Sequence, residues 1–285
     1  MILVIGATGT VGREVVKQLQ ERGAEFKAMV RDLDKGHAAL PGVKMVPGDC
    51  ADPTSLIPAM ADVNKVFLLT AADPNMVAWH KNVIDAAKAD GVAHIVRLSA
   101  LGADASAELN LAKWHGEADE YLENSKVPYT ILLPHYFMDN FANFSGETIR
   151  TQKTVYAPMR DGAISMVAVK DIAAVAVTAL VQDGHSNQRY ALTGPEALDF
   201  DQAAQILSEE IGEEITYQDV PGEAAYQAMV DGGVPDWLAD GLVKLYAYFA
   251  TGQAAKVSPV VEKITGRPGT AFRQYVQDHL NAFKA

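Results

Sequence analysis

The chain has 285 residues, of which 49% are hydrophobic and 21% charged, so it holds enough apolar material for a large packed core. Its formal net charge of -12 would repel a nucleic-acid backbone, and the sequence shows no basic patch that would offset this charge. Cys50 is the one cysteine, which excludes an intramolecular disulfide and a metal site built from several cysteines. We expect a globular chain with no nucleic-acid partner and no metal.

The apolar segments are too short or too interrupted to cross a membrane. Met1 leads directly into the apolar residues 2–5, without the basic segment that opens a signal peptide. The longest later apolar stretch, residues 166–181, contains Lys170 and Asp171, which a lipid-facing helix would not tolerate cheaply. We therefore expect a cytoplasmic chain that does not span a membrane.

Short β-branched runs alternate with helical patterns through the first half of the chain. The predicted strands are residues 2–5, 26–30, 43–46, 66–69, 95–98 and 129–133. The segments between them have apolar residues at helical spacing, and Gly23 and Gly91 lie where two of these helices should end. This alternation predicts an α/β fold, a Rossmann doubly wound parallel sheet with right-handed crossovers.

Helical patterns dominate the second half. They cover residues 169–182, 199–211, 223–230, 236–250 and 270–283. We predict a Rossmann domain over residues 1–153 and a smaller, mainly helical lobe over residues 154–285, in close contact with it, that binds substrate.

A glycine-rich segment follows the first predicted strand and leads directly into a helix. The segment reads Gly6-Ala7-Thr8-Gly9-Thr10-Val11-Gly12. Gly6 permits the turn, Gly9 allows close approach to a pyrophosphate, and Gly12 allows close packing of helix on strand. We therefore assign Gly6, Thr8, Gly9, Thr10, Val11 and Gly12 to a dinucleotide cofactor. The alternative is a structural turn that binds nothing.

The residue after the second strand normally contacts the adenosine ribose. Here it is Arg31, with Lys35 four residues further on, and a guanidinium suits a 2′-phosphate. This favours NADP(H) over NAD(H). Asp32 leaves an alternative open, because a rotation of the loop would offer its carboxylate to a ribose hydroxyl instead. Arg31 would then be an ordinary surface arginine.

Two further loops at the carboxyl edge of the sheet are assigned to the cofactor. Asp49 and Cys50 follow the third strand, where the adenine edge should lie, although Asp49 would equally serve to cap the helix predicted near Pro53. The small side chains of Thr70, Ala71 and Ala72 follow the fourth strand and would let the backbone lie along the cofactor.

Several stretches together resemble a known family. They are GATGTVG, MVRD, GDCADPTSL, VPYTILLPHYFMDNF and RYALTGPEALDFDQAAQILSEEIG, which span nearly the whole chain. The chain is similar to the NmrA-like atypical short-chain dehydrogenase/reductases, and within them to the NAD(P)H:quinone oxidoreductase and triphenylmethane reductase group. The resemblance implies a Rossmann fold, NADP(H) as cofactor and a substrate cleft between the lobes. A homodimer would rest on analogy alone.

The chain departs from the wider superfamily at the catalytic residues. No Tyr-x-x-x-Lys pair occurs, so the usual tyrosine proton donor is missing. Ser99 stands in the place of the superfamily's catalytic serine. Counting thirteen residues back from Pro128 leads to His115, where related reductases carry a catalytic lysine and the quinone and dye reductases resemble this chain in having histidine. An imidazole there would donate or relay a proton, or hold the nicotinamide ribose. Its charged neighbours favour a surface histidine equally.

Aromatic and polar side chains follow the sixth strand. We assign Tyr136 to catalysis and Phe137, Met138, Asn140 and Phe141 to substrate binding; the alternative is core packing.

The missing tyrosine donor affects the choice of substrate. Reduction of a ketone would leave a basic alkoxide with no tyrosine to protonate it, so we expect hydride transfer from NADPH to a quinone or similar conjugated small molecule. One alternative function is a redox-sensing regulatory protein that binds NADP(H) without turnover. Another is an isomerase or lyase, which no residue of the sequence supports directly.

Overall fold

The computed structural model describes residues 1–284, which form two compact units. The first unit comprises Met1–Pro134 and Val169–Leu192. The second comprises His135–Ala168 and the chain from Thr193 onward.

A seven-stranded sheet, parallel throughout, forms the centre of the first unit. Its strands are β1 (Ile2–Ile5), β2 (Phe26–Val30), β3 (Met45–Pro47), β4 (Lys65–Leu68), β5 (His94–Leu98), β6 (Tyr129–Pro134) and β8 (Gln188–Leu192). Their order is β3-β2-β1-β4-β5-β6-β8, so the order reverses at β1, where Ile2 lies opposite both Phe26 of β2 and Lys65 of β4. β1 is buried over its whole length, as expected for a strand covered on both faces. The predicted Rossmann-like α/β fold is confirmed.

Helices connect these strands. They are α1 (Thr10–Glu21), α2 (Leu33–Ala39), α3 (Pro53–Met60), α4 (Met76–Ala89), α5 (Asn110–Asn124) and α7 (Val169–Val181). Two of them begin at an aspartate whose carboxylate accepts a first-turn N–H, Asp32 for α2 and Asp52 for α3. These caps decide where the chain turns from the carboxyl edge of the sheet into each helix.

The second unit is mainly helical. It contains a π-helical turn (Phe141–Ser145), α6 (Gly146–Gln152), β7 (Thr154–Ala157), α8 (Phe200–Ile211), β9 (Thr216–Asp219), α9 (Gly222–Asp231), α10 (Asp236–Phe249), α11 (Val260–Thr265), α12 (Phe272–Asp278) and α13 (Leu280–Phe283). β7 and β9 pair in parallel. The Phe141 ring lies 5.1 Å from that of Phe200 and 4.8 Å from that of Phe272, between ring centroids, and these rings form part of the core of the unit.

The chain does not divide at the predicted boundary between residues 153 and 154. It leaves the first unit after Pro134 and returns to it for residues 169–192, which the helical pattern of the sequence assigns to the second lobe. The reason is packing: α7 lies against α1, where Gln18 Nε2 donates to the Lys170 carbonyl at 3.0 Å, and β8 pairs with β6. β8 was missed because Gln188 and Arg189, at its start, are exposed and break the apolar pattern of a strand.

Two smaller expectations also change. The helix predicted over residues 270–283 is broken at His279, whose Nδ1 lies 2.8 Å from the Tyr275 carbonyl. β7 and β9 are strands in a half predicted as helical. Within residues 1–284, each helix is too short or too polar to cross a bilayer.

Candidate functional site

The glycine segment forms a tight turn between β1 and α1. Gly6 has φ +78°, and a Cβ atom there would lie 2.5 Å from the Leu69 carbonyl oxygen. A Cβ atom on Gly12 would overlap the Gly6 carbonyl oxygen, so this glycine permits helix and strand to pack closely. Gly9 differs, because a Cβ atom there would meet only the Gly6 oxygen at an ordinary 3.5 Å. Packing therefore explains Gly6 and Gly12 but leaves Gly9 open toward a ligand.

The N-terminus of α1 is suited to an anion. The first helical hydrogen bond runs from the Arg13 N–H to the Gly9 carbonyl at 2.9 Å, so the N–H groups of Thr10, Val11 and Gly12 lie ahead of it without a partner inside the helix. Among the described residues, the first turn of α1 carries no acidic side chain. Thr8 is exposed, whereas Val11 is buried, so the role left for Val11 at this terminus is that of its backbone N–H. Such a terminus binds phosphate groups.

Arg31 is exposed directly after β2. Asp32, its neighbour, accepts the Lys35 N–H at 3.1 Å as the cap of α2, and the Lys35 ammonium lies 3.7 Å from the same carboxylate. These contacts engage Asp32, whose pKa is lowered mainly by the hydrogen bond from the Lys35 backbone. The arrangement favours Arg31 as the group offered to a 2′-phosphate.

The loop after β3 is held by its own hydrogen bonds. The Asp49 carboxylate accepts the Ala51 N–H at 2.9 Å, and Asp52, not Asp49, caps α3. Burial, with a smaller contribution from Asp49, raises the pKa of the Cys50 thiol to about 11, so it stays protonated at neutral pH. Asn82 on α4, which the sequence analysis missed, donates to the Cys50 carbonyl at 2.9 Å. The cofactor roles of Asp49 and Cys50 stay predictions.

A buried arginine connects the loop after β4 with α4 and β5. Arg97, fully buried on β5, donates from Nε to His80 Nδ1 at 2.8 Å. His80 is 1% exposed, and its Nε2 lies 2.9 Å from Thr70 Oγ1. Burial is the main cause that lowers the pKa of His80, followed by the charge of Arg97, so this imidazole is neutral. The Thr70 side chain is thus fixed by its hydrogen bond with the buried His80. Ala71 and Ala72, the next two residues, are exposed.

The other arm of Arg97 makes an ion pair with Asp119 of α5. This carboxylate also accepts the Ser99 hydroxyl and the Arg189 guanidinium of β8, each at 2.9 Å. Burial raises the pKa of Asp119 and lowers that of Arg97 to about 10, and the ion pair between the two groups opposes both shifts. The Ser99 hydroxyl, proposed as catalytic, is therefore engaged as a donor to Asp119.

His115 is half-buried on α5 and is not the freely solvated histidine that its charged neighbours suggested. Its Nδ1 lies 3.3 Å from Arg97 Nη2. Burial, followed by the charge of Arg97, lowers its pKa to about 3. At neutral pH His115 offers a neutral N–H and not an imidazolium.

The residues after β6 lie in the second unit, and they divide into two groups. Met138 and Phe141 are each 1% exposed within the core of this unit, so core packing explains them and their assignment to substrate is corrected. Phe137 and Asn140 are half-buried, and Tyr136 is hydrogen-bonded to Asn140 and to Tyr246 of α10. Burial raises the pKa of Tyr136 well above its usual value, so its phenol stays protonated.

Sequence reasoning missed the residues that connect these groups. Arg97 gave a usable signal, because a charged side chain in the middle of a buried apolar strand requires a buried partner. No sequence pattern predicts that His80, Asp119 and Arg189 lie close together. They meet only when α4, α5 and β8 pack around β5 and β6. Tyr246 follows Tyr136 by more than a hundred residues and gave no signal.

Known proteins resemble this chain over its whole length. The NAD(P)H azoreductase of Xenophilus azovorans is 39% identical, with 100% of each chain covered. The NADPH-dependent quinone oxidoreductase of Escherichia coli in complex with NADPH has a TM-score of 0.88 and 30% identity, covering 99% of this chain and 100% of that one. The triphenylmethane reductase of Citrobacter sp. complexed with NADP(H) has a TM-score of 0.87 and 28% identity, covering 98% and 99%.

The model of the NAD(P)H-binding family matches residues 6–183, which begin at the first glycine of the loop. This match and the relatives confirm the predicted resemblance, the nicotinamide dinucleotide cofactor and the class of NAD(P)H-dependent oxidoreductases. The chain belongs to the NAD(P)H-binding family.

Proposed function

We propose that the chain is an NADPH-dependent reductase that transfers hydride to a quinone or a similar conjugated acceptor. The observation that carries this proposal is the open N-terminus of α1 behind Gly9, with Arg31 exposed at the end of β2. When bound, NADPH supplies the hydride. The N–H groups of Thr10 to Gly12 would hold its pyrophosphate, and Arg31 its 2′-phosphate.

The state of the two candidate acids in the first unit supports a conjugated acceptor. Ser99 already donates its proton to Asp119, and His115 is neutral at physiological pH. A ketone reduced beside such groups would become a strongly basic alkoxide, which is costly without a good proton donor. Hydride addition to a quinone gives a delocalised anion of much lower basicity. This anion can persist until it takes its proton from solvent, while the neutral His115 N–H stabilises it as a hydrogen-bond donor.

The relatives support the same class of acceptor. One is named for azo compounds, one for quinones and one for triphenylmethane dyes, and all three are conjugated electron acceptors. In the second unit, we assign Tyr136 and Asn140 to orientation of the acceptor and Phe137 to its apolar contact. The hydrogen bond between Tyr136 and Asn140 supports this assignment because it gives the phenol a defined direction.

Steady-state oxidation of NADPH tests the proposal. Purified protein is mixed with NADPH and a panel of benzoquinones, naphthoquinones, an azo dye and a cationic dye, and the absorbance of the reduced nicotinamide is followed. We expect turnover with members of the panel and none with simple aliphatic ketones. If NADPH binds but no acceptor is reduced, the proposal is wrong and a cofactor-binding redox sensor explains the chain better.

A further inference from the structure

One guanidinium serves three partners on two helices. Arg97 Nε donates to His80 Nδ1 at 2.8 Å, one terminal nitrogen contacts Asp119, and the other lies 3.3 Å from His115 Nδ1. Arg97 is 0% exposed, Asp119 1% and His80 1%, so the contacts of Arg97 with Asp119 and His80 are shielded from water, whereas His115 is half-buried. His80 belongs to α4, whereas His115 and Asp119 belong to α5.

The chemistry of arginine determines the proton positions on both rings. Every guanidinium nitrogen carries N–H groups and none accepts a hydrogen bond. A ring nitrogen that faces it must therefore accept, which leaves the proton of each neutral imidazole on Nε2. Both His80 and His115 accept at Nδ1, so both are held as Nε2–H tautomers.

The tautomer of His80 determines the role of Thr70. His80 Nε2 lies 2.9 Å from Thr70 Oγ1, and this nitrogen is the donor when Nδ1 accepts from Arg97. The Thr70 oxygen then accepts, and its own hydroxyl proton is directed elsewhere. Thr70 follows Leu69, whose carbonyl lies beside the Gly6 turn, so Thr70 is the next residue along the chain from that contact.

We propose that Arg97 is a positioning residue that locks His80 and His115 in the Nε2–H tautomer, so that the Thr70 hydroxyl and the His115 Nε2–H both act as hydrogen-bond donors. The proposal rests on the proposed function in one respect: the donors are useful because a nicotinamide and an electron-accepting carbonyl or azo nitrogen both present acceptor atoms. Arg97 itself contacts neither, because it is fully buried behind the two imidazoles.

The surrounding charges are consistent with neutral rings. His115 faces Arg97 from β5 and His80 from α4, and its own helix contributes Asp119 and the Lys113–Glu117 pair. Asp119 is shared with Ser99 and with Arg189 of β8, so its charge is directed toward the two guanidiniums. The arrangement keeps a positive charge beside both imidazoles, which opposes their protonation.

Nitrogen NMR of the wild-type protein tests the proposal directly. The protein is labelled with ¹⁵N-histidine, and the signals of His80 and His115, two of the seven histidines, are assigned with the variants His80→Asn and His115→Asn. Long-range proton–nitrogen spectra at neutral pH then report which ring nitrogen is protonated. We expect Nε2–H on both rings. An Nδ1–H tautomer or an imidazolium at either residue would overturn the proposal, whatever the variants do.

The variant Arg97→Lys separates charge from geometry. Lysine keeps the cation beside Asp119 but has one nitrogen and cannot donate to both rings. We expect at least one imidazole to show a mixture of tautomers. Arg189→Gln is the matched control, since it removes the other arginine on Asp119, and both tautomers should stay as in the wild type. Two unchanged tautomers in Arg97→Lys would contradict the role of Arg97; if that variant does not fold, the wild-type spectrum still decides.

A second readout connects the tautomers with cofactor binding. Thr70→Val removes the proposed donor, whereas Thr70→Ser retains it. We expect the dissociation constant of NADPH to rise several-fold in Thr70→Val and to recover in Thr70→Ser, while equal binding by both would remove Thr70 from the proposal. Both measurements are made without turnover, so their failure leaves the reductase proposal standing, and an absence of NADPH oxidation leaves the tautomers standing.

Discussion

Arg31 and Asp32 lie side by side after β2, and their environments differ. Asp32 is engaged by the backbone of α2, whereas Arg31 is exposed, so the two possibilities that the sequence left open are now unequal. The residue types and their positions were enough to identify this pair. The hydrogen bond to the Lys35 N–H, which engages the carboxylate, depends on where α2 begins and could not be predicted with the same precision.

Replacing Arg31 by alanine should weaken NADPH binding and leave NADH binding unchanged. A charge-assisted hydrogen bond contributes about 1.5–3 kcal/mol, so we expect the NADPH dissociation constant to rise by roughly 10- to 100-fold. Fluorescence titration of each nucleotide measures this. Arg22→Ala, which removes an exposed charge after the far end of α1, is the control. Equal loss for both nucleotides would exclude a 2′-phosphate contact.

The pH profile of kcat/KM should show no ionisation of His115 between about pH 6 and pH 8. Because its pKa is lowered to about 3 by burial and Arg97, the imidazole stays neutral across this range. The profile is measured for wild type and His115→Gln with a quinone acceptor. A wild-type inflection near pH 6.5 that disappears in His115→Gln would show that an imidazolium is used.

The glycine loop is the element that sequence reasoning described best. Its spacing after a buried strand was sufficient, because glycine tolerates a positive φ and close backbone packing as other residues do not. The structure adds a division of roles: Gly6 and Gly12 are explained by packing, Gly9 is not. In contrast, β8 was missed, because an edge strand with exposed Gln188 and Arg189 lacks the apolar run that marks the inner strands.

Gly9→Ala and Gly12→Ala should therefore differ. Gly9 has φ -79° and room for a Cβ atom, so Gly9→Ala should cost less than about 1 kcal/mol of folding free energy but weaken NADPH binding at least about tenfold. Gly12→Ala drives a Cβ atom into the Gly6 backbone and should destabilise the fold by at least about 2 kcal/mol. Urea unfolding and NADPH titration measure both effects. A Gly9→Ala protein that binds NADPH normally would show that the loop is only a structural turn.

At the scale of the whole molecule, sequence periodicity predicted the alternation of strands and helices but not the path of the chain between the two units. Residues 169–192 return to the first unit because α7 packs against α1 and β8 pairs with β6. Both contacts join segments that are far apart in the sequence. The Arg97 network has the same origin, since its members come from α4, α5, β5 and β8. The periodicity of a sequence predicts single helices and strands, but it does not predict which of them pack together.

Buried neutral histidines should make the fold sensitive to acid. Burial lowers the pKa of His94 to about 4 and that of His115 to about 3, and it lowers that of His80. Below about pH 6.5 these histidines take up protons in the unfolded chain but stay neutral in the native state. The free energy of unfolding therefore falls as the pH falls. For His94, a pKa lowered from about 6.5 to about 4 corresponds to on the order of 1 to 2 kcal/mol of lost stability by about pH 5. Asp119, whose pKa is raised, has the opposite sign but is one group against three.

Thermal unfolding at about pH 7.5 and about pH 5 checks this. We expect a lower Tm at the acidic pH and a smaller difference in His94→Asn. His37→Asn, which replaces an exposed histidine, should retain the wild-type difference. A Tm that does not fall on acidification would contradict the neutral state of the buried rings.

Single-turnover hydride transfer tests the central claim most directly. Protein loaded with NADPH is mixed rapidly with a quinone, and the absorbance of the reduced nicotinamide is followed, with NADPH that carries deuterium on one or the other face of C4. We predict one decay that is slowed by deuterium on one face only, because an ordered site removes hydride from a single face. Persistence of bound NADPH in the presence of the quinone, or a rate that deuterium on neither face changes, would contradict the claim.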